Sequence, residues 1–301
     1  MTNANARPHV PFIRITGVVV MVLAVALAGL AAAAPQAEAA KKKPRVVAIS
    51  PFAAATMARL KYKPIAVGQT IGGERRKPKF LKGVRVLTLS HPNGPNLEQM
   101  ARLRPDIVFS SPRWSKGTAA MKRLGIRVIY TDPHKVNQVY KTVTRIGKVL
   151  NRKRQARKAN RVIRRQVRNA TGFSGTRPRT LLLLGIGNTA MTFLKNSWGG
   201  QLVRMAGGNL IDGGASAGGG FANISPEKIL IANPQRIIIV PHGSVEDISQ
   251  VVDYIKDDPS IQQTDAVKNN KVFVSVDNEL LQSGPDVGPM IRFVRRQFIT
   301  K

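Results

Sequence analysis

Short apolar runs alternate along most of the chain with longer stretches whose apolar positions recur at helical spacing. In the first half, "RVVAIS" (45–50) leads into the helical pattern "PFAAATMARL", and "PIAVG", "RVLTLS", "DIVFS" and "IRVIYTD" follow as further strands. Helices fit residues 96–104 and 115–124 between them. The second half restarts with "TLLLLG" (180–185), then a helix over 197–206, another helix starting near residue 225, and the strands "RIIIVP" and "KVFVSVD". A final helix, "DVGPMIRFVRRQF", closes the pattern. Strand and helix in alternation mark α/β layering around parallel strands, and here the alternation occurs twice. The expected fold is two parallel-sheet α/β lobes, residues 41–134 and 173–301.

Residues 135–172 lie between the lobes. Val139, Val143, Ile146, Leu150, Ala159, Val162, Ile163 and Val167 make one apolar stripe at helical spacing, and no proline interrupts it. Read as one long rigid helix of roughly 36 residues, the segment would be about 54 Å long at 1.5 Å per residue. Such a helix would join the lobes as a rigid strut rather than a flexible hinge. The Gly/Pro/Ser-rich "TGFSGTRPRT" then leads into the second lobe.

Residues 1–40 follow a different rule. Arg7 and Arg14 precede the uncharged run "ITGVVVMVLAVALAGLAAAA", and Ala37-Glu38-Ala39 has the small-x-small form of a cleavage site. They are expected to be a signal peptide cleaved after Ala39 or Ala40; an uncleaved anchor is the competing reading of an apolar run this long. The mature chain would then be periplasmic, secreted or held in the cell envelope. Cysteine is absent. The fold must be held by its core, and a lipid-modified cysteine, thiol catalysis and thiolate metal sites are excluded.

Charge adds a second constraint. The formal net charge is +32, from 48 Lys and Arg against 16 Asp and Glu. No acidic residue occurs between Asp132 and Asp212, and residues 147–170 carry ten Lys and Arg. Few aromatics accompany them and no groove-reading motif is present, so nucleic acid is not an expected partner. What remains is a solvated helix face with a weak attraction for anionic membrane or cell-wall polymer.

Two stretches nearly repeat one another. "NLEQMARLRPDIVFSSP" (96–112) and "SPEKILIANPQRIIIVPHG" (225–243) each give a helix-start residue, a Glu, an amphipathic run, a Pro and a strand, with Glu98 and Glu227 separated by 129 residues. The spacing from Asn96 or Ser225 is read as a capping box, in which the Glu reaches back to the cap N–H. Recurrence on two lobes adds another reading, a pair of carboxylates displayed to a partner.

With "RVVAISP", "PNLEQMARLRPDIVFSS", "LGIRVIYTD", "SWGGQLVRMAGGNLI", "SPEKILIANPQRIIIV" and "AVKNNKVFVSVD" in order over residues 44–298, the chain resembles the substrate-binding proteins of ABC importers. The likeness is to the helical-backbone class that serves iron–siderophores, haem, vitamin B12 and metals. It implies iron or metal transport, a ligand held between the lobes, and docking of Glu98 and Glu227 onto Arg residues of an ABC transporter permease. Exposed ion pairs are each worth under about 1 kcal/mol, so such a pair sets register more than affinity.

Ligands of open α/β sheets lie beyond the carboxyl ends of the strands. Those ends offer His91, Arg113, Trp114, Asn188, His242 and Asn278, joined by Trp198 at a helix start and Phe221 before the second repeat helix. His91 and His242 come from opposite lobes, and neutral imidazole ligates metals and haem iron. In haem-binding members of the class each lobe supplies an iron ligand, and "PHG" followed by "AVKNNKVF" looks like their second lobe. Their first-lobe ligand is commonly Met or Tyr, a pattern from which His91 departs. The competing reading has both rings bonded to loop backbone or touching another ligand. His134 is expected at the surface. Arg75, Arg76, Arg113 and Lys195 suit an anionic cargo such as a ferric siderophore or haem propionates. No intrinsic cofactor is expected. A bare metal ion would need three or four convergent ligands, more than two histidines supply.

Catalysis is not expected. "GASAG" (214–218) formally matches a nucleophile elbow around Ser216, but glycines flank it where a strand and a helix are required. "GIGNTA" lacks the third glycine of a dinucleotide fingerprint.

Overall fold

The computed structural model describes residues 43–69, 78–187, 189–212, 219–242, 247–276 and 279–301. The expected signal peptide, Arg75, Arg76, Asn188, Ser216 and Asn278 lie outside them. In the first lobe, β1 (Val46–Ala48), β2 (Ala66–Gly68), β3 (Arg85–Leu87), β6 (Ile107–Ser110) and β7 (Arg127–Tyr130) form a sheet in the order β3-β2-β1-β6-β7. Every neighbouring pair is parallel. The unbroken apolar runs of β1 and β6 fit this arrangement, because parallel strands are covered on both faces. A separate two-strand ribbon pairs β4 (Leu89–Ser90) with β5 (Gly94–Pro95).

The second lobe is built on β8 (Arg179–Ile186), which runs parallel to β12 (Arg236–Pro241), itself parallel to β13 (Val272–Val274). It departs from the expected all-parallel sheet. β9 (Thr189–Phe193) turns back antiparallel on β8, and β11 (Phe221–Asn223) is antiparallel to β9. β10 (Asn209–Ile211) pairs in parallel with the first part of β8. The cause is local. Ile186 pairs with Thr189, and Gly187 takes a φ of +53°, which suits a sharp reversal of the chain.

The strut is the second correction. Two helices, Val136–Val149 and Lys153–Thr171, occupy the segment expected to be one. Between them Asn151 takes left-handed backbone at φ +52°. The Arg152 N–H bonds the Gly147 carbonyl and the Asn151 N–H bonds that of Lys148, the paired bonds of a Schellman stop. The second helix then folds back along the first. Asn160 donates to the Tyr140 carbonyl at 3.0 Å and to the Thr144 hydroxyl at 2.9 Å, and the Arg164 guanidinium lies 4.1 Å over the Tyr140 ring. Gly147 permits the approach, since a Cβ there would overlap that of Ala156. The apolar stripe is therefore two facing stripes.

Only the second helix, of 19 residues and about 28 Å, runs between the lobes. Its first half packs on the helix Val136–Val149, which rests on Pro51–Arg59 of the first lobe. Its second half meets the helix Val287–Val294: Gln166 lies against Gly288, and Ala170 accepts from Arg295. Strand alternation divides the apolar side chains between two faces of each sheet. One face of both lobes joins a shared core that runs from Phe52 and Phe109 through Val139 and Ile163 to Leu182 and Ile291. The opposite faces hold smaller clusters, around Ile49 and Met100 in one lobe and Ile239 and Val251 in the other. No helix among the described residues is long and apolar enough to cross a membrane.

The repeated stretches are alike in three dimensions. Asn96 and Ser225 cap the helices Leu97–Leu103 and Pro226–Ala232, each side chain accepting from the N–H three residues on. Both helices end on a left-handed residue, Arg104 at φ +42° and Asn233 at φ +39°. An arginine at the foot of each sheet's central strand secures that end. Arg45 donates to the carbonyls of Leu103 and Arg104, and Arg179 donates to that of Asn233. The Arg45 N–H also bonds the Asp106 carboxylate, and the Arg179 N–H bonds the Gln235 amide oxygen, the equivalent partner.

Candidate functional site

His91 sits in the turn of the β4–β5 ribbon, where Ser90 pairs with Gly94. Gly94 takes φ +79°, and the space a Cβ would need is bounded by Trp114. The helix Ser115–Arg123 presses on the same loop through Gly117, where a Cβ would overlap the Asn93 carbonyl oxygen. Packed in this way, the His91 and Trp114 rings meet edge to face with centroids 5.9 Å apart. Pro112–Trp114 is a single 3-10 turn capped by Ser111, whose hydroxyl accepts from the Arg113 N–H at 3.3 Å. The Arg113 side chain is exposed. Trp114 is half-buried, and its indole nitrogen is buried without a hydrogen-bond partner.

His242 approaches from the second lobe. It follows β12, and its N–H bonds the Gly185 carbonyl at 2.8 Å. Burial holds its imidazole below the usual histidine range, and the charges of Arg113 and His91 push in the same direction. The result at neutral pH is an uncharged imidazole that keeps a lone pair for a metal.

A polar bridge that sequence reasoning missed joins the lobes. Asp132 accepts from the Ser111 hydroxyl at 2.6 Å and from Ser283 of the second lobe at 3.2 Å. Arg59 pairs with Asp286, and the Val136 N–H donates to Gln201 at 3.2 Å. Asp132, at the carboxyl end of "IRVIYTD", carried the one available signal, a carboxylate where α/β sheets place their functional groups.

The remaining expected residues separate. Trp198 is 6% exposed and belongs to the shared core, with its indole N–H donated to the Glu279 carbonyl at 3.0 Å. That corrects its assignment to the ligand: a buried indole with its donor satisfied is a packing group. Phe221 is half-buried and packs edge to face on Phe193 at 4.7 Å. Lys195 is exposed, 4.0 Å from Asp212. His134 is at the surface, as expected, its N–H bonded to Gln138 at 2.8 Å. Cavities of about 500 and about 380 Å³ lie away from this site, one against the helix Val287–Val294 and one at the end of Leu97–Leu103, so chemistry rather than enclosed volume marks it.

Glu98 and Glu227 are exposed. Each is the second residue of its helix, while the third, Gln99 or Lys228, gives its N–H to the cap. The capping-box expectation is therefore corrected, because the carboxylate falls one position short of it. Glu98 instead pairs with Arg102 at 3.3 Å. Glu227 accepts from the Ser225 hydroxyl and from its own N–H, which holds its carboxyl below the usual range.

A family model described as periplasmic binding protein matches residues 46–278. The high-affinity heme uptake system protein IsdE of Staphylococcus aureus (strain Newman) is 27% identical over 191 residues, which cover 62% of this chain and 64% of that protein. The match thus spans less than two thirds of that relative's length. Among solved structures, an ABC transporter substrate-binding protein from Listeria monocytogenes EGD-e superposes with a TM-score of 0.74 at 20% identity, covering 86% of this chain and 100% of the other. S. aureus IsdE complexed with heme gives 0.71 at 22% identity, covering 85% and 98%. S. aureus SirA complexed with staphyloferrin B gives 0.65 at 18%, covering 85% and 94%. At these identities the structural likeness is one of fold.

Proposed function

The chain belongs to the periplasmic binding protein family, and on that premise we propose that it captures an iron complex outside the cytoplasm and delivers it to an ABC importer. The cargo is a ferric siderophore or haem, bound where His91, Arg113 and Trp114 of one lobe face His242 of the other. The observation that carries this reading is His91 packed on the Trp114 ring beside the exposed Arg113 in one lobe, with the half-buried His242 at the carboxyl end of β12 in the other; the lowered His242 pKa supports it. A guanidinium beside two imidazoles suits a metal complex with anionic arms better than a neutral solute.

A haem-specific reading makes His91 and His242 the iron ligands. It draws support from one imidazole on each lobe, His242 having its pKa lowered by burial, and from the similarity to IsdE, a heme uptake protein. Titration of the protein with haem is expected to give a sharp Soret shift that His91→Ala and His242→Ala each abolish. Unchanged spectra in both variants, together with tight binding of a ferric siderophore, would leave the iron-complex reading and remove the haem one. Absence of binding to either cargo would remove both.

Docking to the permease is assigned to Glu98 and Glu227, one exposed carboxylate per lobe on equivalent helices. Reversing both charges is expected to abolish uptake in cells with the melting temperature unchanged. A drop in stability would return them to a local role.

A further inference from the structure

We propose that the helix Lys153–Thr171 is a docking face for a linear phosphate polyanion. At about 100° per residue, every position between 153 and 168 on an arc of about 140° is basic: Lys153 and Lys158 with six arginines, from Arg154 to Arg168. All eight are exposed. The other side of the helix buries Ala156, Ala159, Ile163 and Ala170 against its neighbours. The ion pairs among the described residues leave this helix untouched. The basic row is about 22 Å long.

An ordinary solvated face carries both signs, because like charges one turn apart repel. Here Lys153 and Arg157, Arg154 and Lys158, Arg157 and Arg161, Arg161 and Arg165, and Arg164 and Arg168 all stand in that relation. A polyanion relieves this repulsion. Further basic side chains lie near the helix end. Arg295 donates to the Ala170 carbonyl, and beside it a cavity of about 500 Å³ is lined by Pro289, Arg292, Arg295, Arg296 and Thr300.

The shape and chemistry of the arc select among anions. It holds no aromatic side chain on which bases would stack and no apolar one to enter a bilayer. A convex ridge meets a flat membrane along a line, whereas a flexible chain wraps the arc. Arginine predominates, and its fork pairs with two oxygens of one phosphate. This face is separate from the cargo site, and its assignment does not depend on the cargo.

The test uses the full chain and long-chain inorganic polyphosphate as the probe, with affinity followed as salt is raised. The logarithm of affinity is expected to fall linearly with that of salt. Replacing Arg157, Arg161, Arg165 and Arg168 by Gln is expected to lower the slope by about 3, at ~0.7 per phosphate contact, and to weaken binding at low salt by ten-fold or more on the order-of-magnitude scale of such contacts. Replacing the exposed first-lobe residues Lys79, Lys82, Lys116 and Lys122 by Gln removes the same charge and is expected to leave the slope within about 1 of the parent. Circular dichroism checks folding; if the quadruple arginine variant is unfolded, Arg161→Gln alone is expected to lower the slope by ~0.7. Equal losses in both sets, or no binding by the parent chain, would overturn the proposal. Tighter binding to phosphatidylglycerol vesicles or to single-stranded DNA than to polyphosphate would overturn it in favour of a bilayer or a nucleic acid.

Discussion

Replacing Gly117 by alanine sets two effects of opposite sign against each other. In a helix interior the change ordinarily stabilises by about 1 kcal/mol. Gly117, however, lies in a helix that presses on the His91 loop, and the new methyl would overlap the carbonyl oxygen of Asn93. That obstacle is backbone, so it cannot swing aside as a long side chain would. Relief of overpacking costs about 1–3 kcal/mol. The expected balance is a loss of about 0–2 kcal/mol, read as a melting temperature a few degrees lower. The positional effect is larger. The loop must move off the helix and carry His91 away from the Trp114 ring that it now meets at 5.9 Å. Tryptophan emission reports this directly, since the other tryptophan, Trp198, is fixed in the core and supplies a constant background. Haem titration then reads the consequence for the cargo. A melting temperature raised by the ordinary glycine-to-alanine gain, with emission and Soret spectrum unchanged, would refute the reasoning.

Three further outcomes are expected. His242 has a folded-state pKa below its ordinary 6.5, so the unfolded chain takes up the proton first. Its effect on stability is therefore nil above that range and turns unfavourable as pH falls through 6.5 towards the folded value; His242→Gln should flatten this part of a melting-temperature profile. Arg295 donates to the carbonyls of Ala170, Met205 and Ala206 and stacks over Phe173, closing two helix ends at once. Arg295→Met is expected to cost about 2–4 kcal/mol in urea unfolding, because buried acceptors lose their partner. Arg104 occupies left-handed backbone where its counterpart is Asn233. Arg104→Asn should stabilise by up to about 1 kcal/mol by the same measurement, since Asn tolerates that conformation better.

The strands were legible because burial on both faces leaves unbroken apolar runs, as in β1 and β8, and the repeat was legible because its helix and strand are local. The break at Asn151 was not. A three-residue stop between two helices preserves an apolar rhythm close to that of one long helix, and Asn costs little more than its neighbours inside a helix. β9 was hidden by its length, although Gly187-Asn188 marked its turn. The loop positions of His91, Arg113, Trp114 and His242 could be read from strand ends alone. Trp198 could not be assigned, since an indole at a helix start looks the same whether it faces a ligand or the core. Arg45 and Arg179 were invisible for another reason: their carbonyl partners lie 58 and 54 residues away, beyond any periodicity.

Those two arginines have a mechanical consequence. Each fastens the base of a repeat helix to the foot of its lobe's central strand, so Glu98 and Glu227 are carried as tips on stiff arms, one per lobe. Together they form a calliper. Any partner obliged to touch both tips would gauge the distance between the lobes.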